Sequence, residues 1–305
     1  MPDHNDALTQ ETFHGLASGP VTFRTRVLDT LKSLLRQKPA TLGAIVLLGV
    51  FAMAIFSPLF APYSPYEQIP WEARKAPLST LETSGRFVLL GTDHLGRDIL
   101  SRIIYAARVT LIVAFASVAI SGIIGVTAGI VAGYMSGWTD TIIMRMVDIA
   151  LAFPFELLAL AIVAATGPSL EIVVIVMALR IWVVYARATL AVKQKDYVQA
   201  AIAQGASELR IIIWHVLPNV ITPAIVIGTL YVGRMILIES ALSFLGMGVP
   251  PPTPTWGGIL GDGRAYIDTA WWIAFFPGLA IMITVLGVNL LGDWVRDYLD
   301  PRVQS

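Results

Sequence analysis

Two carboxylates and an imidazole fall within six residues at Asp93, His94 and Asp98, a donor set that could hold a divalent cation. The same segment spaces Ile99, Leu100, Ile103 and Ile104 as one helical face, with Arg97, Asp98 and Arg102 on the other. An interfacial amphipathic helix is therefore the preferred reading over a metal site. Glu156, Arg180, Arg234 and Glu239 raise a different chemistry, because they fall within or beside long apolar runs. Ionisable groups at such depth are costly and face protein or a water-filled cavity, so these four are candidates for a translocation pathway or a subunit interface. Pairing as structural glue is the competing reading, although Arg234 and Glu239 are poorly spaced for one helix face. His215 reads as an interface residue rather than a pH switch. Enzyme chemistry finds no footing: H-E-x-x-H, G-x-S-x-G and a defined carboxylate pair are absent. So is G-x-x-x-x-G-K-[ST], which argues against an ATP site in this chain. The lack of cysteine removes disulfides, thiolate metal sites and a thiol nucleophile.

The elements that must carry these residues belong to a membrane protein. Of 305 residues 56% are hydrophobic and only 14% charged, with a mean hydropathy of +0.71, too apolar for an ordinary soluble domain. Lys plus Arg equals Asp plus Glu at 21 each, so no global basic field exists to recruit nucleic acid. Apolar runs of about 20 residues, the length that crosses about 30 Å of hydrocarbon, recur near 40–61, 109–134, 142–165, 170–190, 220–246 and 271–292. Six spans are expected, in one membrane domain over 39–305 behind a cytoplasmic tail over 1–38. That tail has no cleavable signal pattern and contains an amphipathic stretch near Phe23 to Leu35. Pro39 suits a helix start, whereas Pro154 and Pro277 should kink or interrupt their spans.

Arg24, Arg26, Lys32, Arg36 and Lys38 precede the first span, and Arg187, Lys193, Lys195 and Arg210 crowd the loop after the fourth. By the positive-inside rule both segments are cytoplasmic, which puts both termini inside, with Arg296 and Arg302, and leaves a loop over 63–107 outside. In the second span Ser117, Ser121, Gly125, Gly129 and Gly133 place a small residue at every fourth position, a stripe along which another helix can approach closely.

Between the fourth and fifth spans the sequence changes character. Asp196 to Ala203 reads as a short helix, Gly205 as a positive-φ stop, and Glu208 to Val216 as a second helix that Pro218 redirects into the next span. Small Ala200 and Ala201 let the first piece lie close against another surface, while Ile211, Ile212, Ile213 and Trp214 lie along the bundle base. The product is a cytoplasmic elbow over 192–218.

The elbow resembles the "EAA" motif of ABC importer permeases: Glu-Ala-Ala, three residues, Gly, then nine residues before Ile-x-Leu-Pro. Here it reads Gln199, Ala200, Ala201, Gly205, and then His215, Val216, Leu217, Pro218, with the spacing kept and two letters changed, Gln199 and His215. Further blocks are similar to the C-type second permease of the dipeptide, oligopeptide and nickel subfamily. They are GTDHLGRDILSRIIYAAR, MRMVDIALAFPFELLALAI, ESALSFLGMGVPPPTPTWGGIL and NLLGDWVRDYLDPR, and the likeness covers roughly residues 35–303. The resemblance implies an all-α type I importer fold in a bacterial inner membrane, paired with a second permease, two cytoplasmic ATPases that hold ATP and Mg, and an extracytoplasmic substrate-binding protein. It implies no cofactor in this chain, and a coupling role for Gln199, Ala200, Ala201, Gly205, Glu208, His215, Leu217 and Pro218. Short peptides are the expected cargo; nickel chelates, glutathione, opines and sugars travel through similar permeases. The alternative class is an ion-coupled carrier or channel, for which a docking elbow has no use.

Overall fold

Every run of apolar residues long enough to span lipid folds as helix, the one open-ended structure that satisfies all its backbone groups internally. The structure, a computed structural model, describes residues 23–299 apart from Ser136 and Gln194. The polar first 22 residues and Arg302, used above in judging the N-terminus and the orientation, lie outside the described residues. In chain order the helices are α1 (Phe23–Arg36), α2 (Lys38–Ile55), α3 (Ser57–Phe60), α4 (Ile99–Met135), α5 (Trp138–Ala152) and α6 (Phe155–Thr166). They continue with α7 (Leu170–Lys193), α8 (Asp196–Ala203), α9 (Glu208–Ile211), α10 (Leu217–Phe244), α11 (Trp256–Gly263) and α12 (Trp272–Leu299). A small antiparallel hairpin, β1 (Ser79–Thr80) against β2 (Phe87–Val88), pairs Ser79 with Val88 and Thr80 with Phe87 in the loop before α4.

Among the described residues five helices are long and apolar enough to cross a membrane, and α5 with α6 makes a sixth span if that pair, bent by 93°, is counted as one. The bend has the cause the sequence supplies. Phe153 and Pro154 are both extended (ψ 135° and 114°), because a proline ring pushes the preceding residue out of the helical region. Pro39 sits in the first turn of α2, where no N–H is missed. Pro277 does not interrupt its span: it is buried inside α12, which continues through it. A departure concerns the expected interfacial helix at Ile99, which is simply the first turns of α4. Ile99, Ile103 and Ile104 are buried there, but so are Arg97, Asp98 and Arg102, the arginines turning inward to Asp93 and Asp98 to Ser101 instead of to water.

The most extensive pairing in the bundle joins α4 to α7 along the small-residue stripe. Ser117 Oγ donates to the Val113 carbonyl and, across the helix pair, lies 3.3 Å from the Val174 carbonyl; Ser121 Oγ donates across it to the Ala178 carbonyl at 2.8 Å. Gly125 and Gly129 follow, and Gly133 is buried beyond them. A Cβ at Gly129 would lie 2.6 Å from both the Ala186 carbonyl oxygen and Thr189 Cβ, and one at Gly125 would collide with the Trp182 carbonyl. In lipid no hydrophobic force drives helices together, so this backbone approach supplies the attraction. Gly129→Val is accordingly expected to cost about 1–3 kcal/mol through overpacking. It should lower the melting temperature of the purified protein, while Gly49→Ala, which meets nothing within 4 Å and replaces a poor helix former by a good one, should leave it unchanged or slightly raised. On the far side of the bundle α12 packs on α2 and α10, with Gly43 set against the Gly287 carbonyl.

Candidate functional site: the elbow, a lateral cavity and an outer charge cluster

The 192–218 segment is built as two helices about a glycine hinge. α8 ends in a Schellman arrangement: Gly205 takes φ 76°, its N–H donates to the Ile202 carbonyl at 3.0 Å, and the Ala206 N–H reaches back to the Ala201 carbonyl at 3.2 Å. Added Cβ atoms at Gly205 would meet nothing within 4 Å, so the requirement for glycine there is conformational and not steric. A separate hydrophobic cluster of Val192, Val198, Ala201, Ile211, Val216 and Val220 pins the elbow to the ends of α7 and α10, with Val126 and Tyr134 of α4 packed against it.

The two alanines of the motif therefore part company. Ala201 is buried in the pin, whereas Ala200 faces outward beside Gln199 and the half-exposed Tyr197 and Ile202. Glu208 opens α9 on the exposed side, where a carboxylate suits a helix N-terminus. Trp214 is 72% exposed and Ile213 about half, as befits side chains that lie along lipid or another subunit, while Ile211 points into the pin.

Pro218 does not redirect the chain. The helix continues from Glu208 to Phe244 as one run of 37 residues, and the proline is absorbed by a π-turn over Ile212–Val216. In it the Leu217 N–H donates to the Ile212 carbonyl, five residues back. A proline ring crowds the carbonyl four residues before it, here that of Trp214, and one wide turn gives it room. Leu217 and Pro218 face outward, and the His215 carbonyl accepts from Asn219 Nδ2 at 2.8 Å.

The four ionisable residues of the spans do not form one group. Glu156 and Arg234 line a lateral cavity of about 280 Å³ with Phe155, Leu160, Leu237 and Leu245. The Arg180 guanidinium stands 5.6 Å over the ring of Phe155, and Arg234 stands 5.8 Å over Tyr231. Glu239 points elsewhere: it is wholly buried toward Thr110 of α4, and Ser243 Oγ, one turn on along α10, lies 2.7 Å from its Oε1.

At the opposite end of α4 from the elbow lies a cluster that sequence reasoning missed. Asp93, 0% exposed, takes Arg97 Nε at 2.6 Å and the Arg102 guanidinium on one carboxylate oxygen, and the backbone N–H groups of Leu95 and Arg97 on the other. Both guanidiniums also face Asp262 of α11 at 3.4 Å. Burial works against the Asp93 charge, but Arg102 and Arg97 outweigh it and hold this carboxyl below the usual range. Burial without a cation pushes Asp98 up, although it accepts from Ser101 N–H and Oγ. Nearby, the buried Glu72 carboxylate accepts the Thr83 N–H at 2.7 Å, which holds its pKa down. The donors weighed for a metal thus diverge, Asp93 to two arginines and His94 to a stack on Tyr266 at 5.7 Å. The alternating charges around Gly96 were visible in the sequence; Asp262, 160 residues from Arg102, carried no local signal.

A cavity of about 350 Å³ opens beside this cluster, between Arg97, Arg102, Asp262 and the Pro250–Thr253 loop. Residues 125–305 match the family described as binding-protein-dependent transport system inner membrane component, and residues 25–77 match the N-terminal TM domain of oligopeptide transport permease C. The di/tripeptide transport system permease protein of Pseudomonas aeruginosa is 44% identical over 90% of this chain and 91% of its own length. The dipeptide transport system permease protein of Escherichia coli K12 is 42% identical over 98% and 100%, and the glutathione transport system permease protein of Pectobacterium atrosepticum 37% over 95% and 97%. With an all-helical bundle, a hinged elbow and matches that run nearly end to end, the chain belongs to the inner membrane components of binding-protein-dependent transport systems, as a multi-pass, non-catalytic permease of the oligopeptide permease C type.

Proposed function

We propose that this permease forms half of the translocation pathway of an ATP-driven importer of di- and oligopeptides, with the 192–218 elbow as its coupling element. The observation that carries the reading is the elbow itself, pinned from behind by a hydrophobic cluster and exposed in front at Ala200 and Ile202. Such a piece is a rigid peg, suited to a groove on an ATPase. Because the pin joins it to α4, α7 and α10, a displacement of the peg is passed to those helices, and the pathway opens alternately to either face. ATP and Mg belong to the two partner ATPases, and an extracytoplasmic binding protein delivers the cargo. The lateral cavity supports a second, homologous permease as neighbour: Leu157, Leu237 and Leu245 are exposed around it, with Glu156 and Arg234 among them. Peptide cargo is supported by the names of the relatives, glutathione being itself a tripeptide.

With both termini cytoplasmic, a reporter fused after Ser207 should score as cytoplasmic and one fused within 66–85 as extracytoplasmic. Opposite results at both points would overturn the orientation. The functional test is uptake of labelled dipeptides by cells carrying the full set of subunits, with retention of the ATPases on the tagged permease. Dipeptide uptake that persists without any ATPase would favour a self-sufficient carrier and end this reading.

A further inference from the structure

Among the described residues, Glu239 is the one carboxyl group in the spans that sees neither water nor a cation. It is 0% exposed, and the side chains that face it from α10 and α4 are the hydroxyls of Ser243, Ser240 and Thr110. Among the described residues no Lys, Arg or His stands within ion-pairing distance. Arg108, the nearest arginine along α4, is exposed on another face, Arg102 is committed to Asp93 and Asp262, and Arg234 faces the lateral cavity. Only one bond in the group has good geometry, the 2.7 Å contact between Ser243 Oγ and Glu239 Oε1. Glu239 Oε2, Thr110 Oγ1 and Ser240 Oγ are all buried without a partner.

A carboxylate in such a place would carry an uncompensated charge into the least polar part of the protein, and hydroxyl dipoles do not replace a counter-ion. A carboxylic acid would instead bring an O–H donor to a set of oxygens that lack partners, and its remaining oxygen would still accept from Ser243. We propose that Glu239 is a proton-binding site, occupied at neutral pH, and that this neutral acid fastens α10 to α4. The place where it does so has mechanical weight. α11 closes on the same point, with Gly257 backed against the Ser240 carbonyl and Trp256 Nε1 donating to the Ile103 carbonyl at 3.0 Å. Glu239 therefore stands where three helices meet near the outer charge cluster, on the same helical run whose other end is the elbow. It is a positioning residue, in contact with no substrate.

The importer reconstituted in lipid gives two readouts. Infrared difference spectra of wild type against Glu239→Gln at neutral pH should show the C=O band of a protonated carboxyl lost in the variant. Dipeptide uptake and membrane level of Glu239→Gln should stay within about twofold of wild type, since a neutral amide keeps one donor and one acceptor, whereas Glu239→Ala should fall below both. If no protonated-carboxyl band disappears, or if Glu239→Gln fails to accumulate or is present and inactive, the residue acts as a carboxylate and the proposal is wrong. The inference builds on the importer reading only for its uptake assay. The infrared result does not depend on cargo, so a failure of wild type to move peptides would count against the proposed function and leave the proton assignment to be judged on its own band.

Discussion

Asp93→Ala is expected to cost about 3–5 kcal/mol, the largest single loss from any side-chain truncation in the outer region, because it strands two buried guanidiniums. Arg97 and Arg102 would be left with Asp262 alone, which lies 3.4 Å away and is 37% exposed in its side chain. The damage should spread to α12, since Trp272 Nε1 donates to the Thr92 carbonyl at 3.1 Å next to Asp93. Thermal unfolding of the purified permease followed by tryptophan emission checks this, and a variant as stable as wild type would show that the cluster is not a structural clasp. Acid should reveal the same residue. A carboxyl held below its usual pKa lends stability that is complete above the unfolded value and is lost as pH falls through the folded one. Asp98, pushed up by burial, has the opposite sign and favours the folded state once it takes a proton. Acidification should thus leave the outer region intact, or slightly firmer, down to the ordinary carboxylate range, below which the contribution of Asp93 drains away until its own lowered pKa is passed.

Gly205→Val is expected to abolish uptake without removing the permease from the membrane. The hinge holds φ at 76°, where a β-branched residue is strained by about 1–3 kcal/mol, and the Schellman bonds that end α8 depend on that angle. Open space around the position sharpens the test. Gly205→Asn, which tolerates the left-handed region, should retain most activity, so the two variants separate an angular requirement from a steric one. Gln199→Ala, at the surface of the same helix, should forfeit about 0.5–1.5 kcal/mol of docking and cost less. The measurements are dipeptide uptake, membrane level and ATPase retention. A Gly205→Val permease that accumulates normally, keeps its ATPases and transports would remove the elbow from the coupling path.

What could be read beforehand was whatever is encoded over a few turns of chain. The elbow was legible because helix, glycine and helix follow one another directly, and Asp196 to Ala203 is the helix observed. Hydropathy marked the spans, and Pro154 marked the break within the third. Long-range pairings were not legible. Nothing near Asp262 announces that it meets Arg97 and Arg102, and α11, only eight residues and rich in glycine, gains its burial chiefly from α10 and α12, with α4 beneath Trp256. Charge near a span start was read as facing water, when Asp93 neutralises it inside. The fates of the prolines diverged for the same reason: at Pro154 the chain yielded, inside α12 it held, and at Pro218 a wider turn took up the clash.

That last accommodation has a mechanical meaning. Because the π-turn keeps Glu208 to Phe244 in one piece, the run is about 55 Å long at about 1.5 Å per residue, far more than the hydrocarbon it crosses. It is a lever whose short outer arm is held where α4, α10 and α11 meet and whose long arm ends at the elbow. A tilt of only about 5° about that fulcrum would carry the elbow through about 4 Å, by the same rise per residue. The movement needs no helix to unwind, and its gain is set by where along the rod the outer fastening lies.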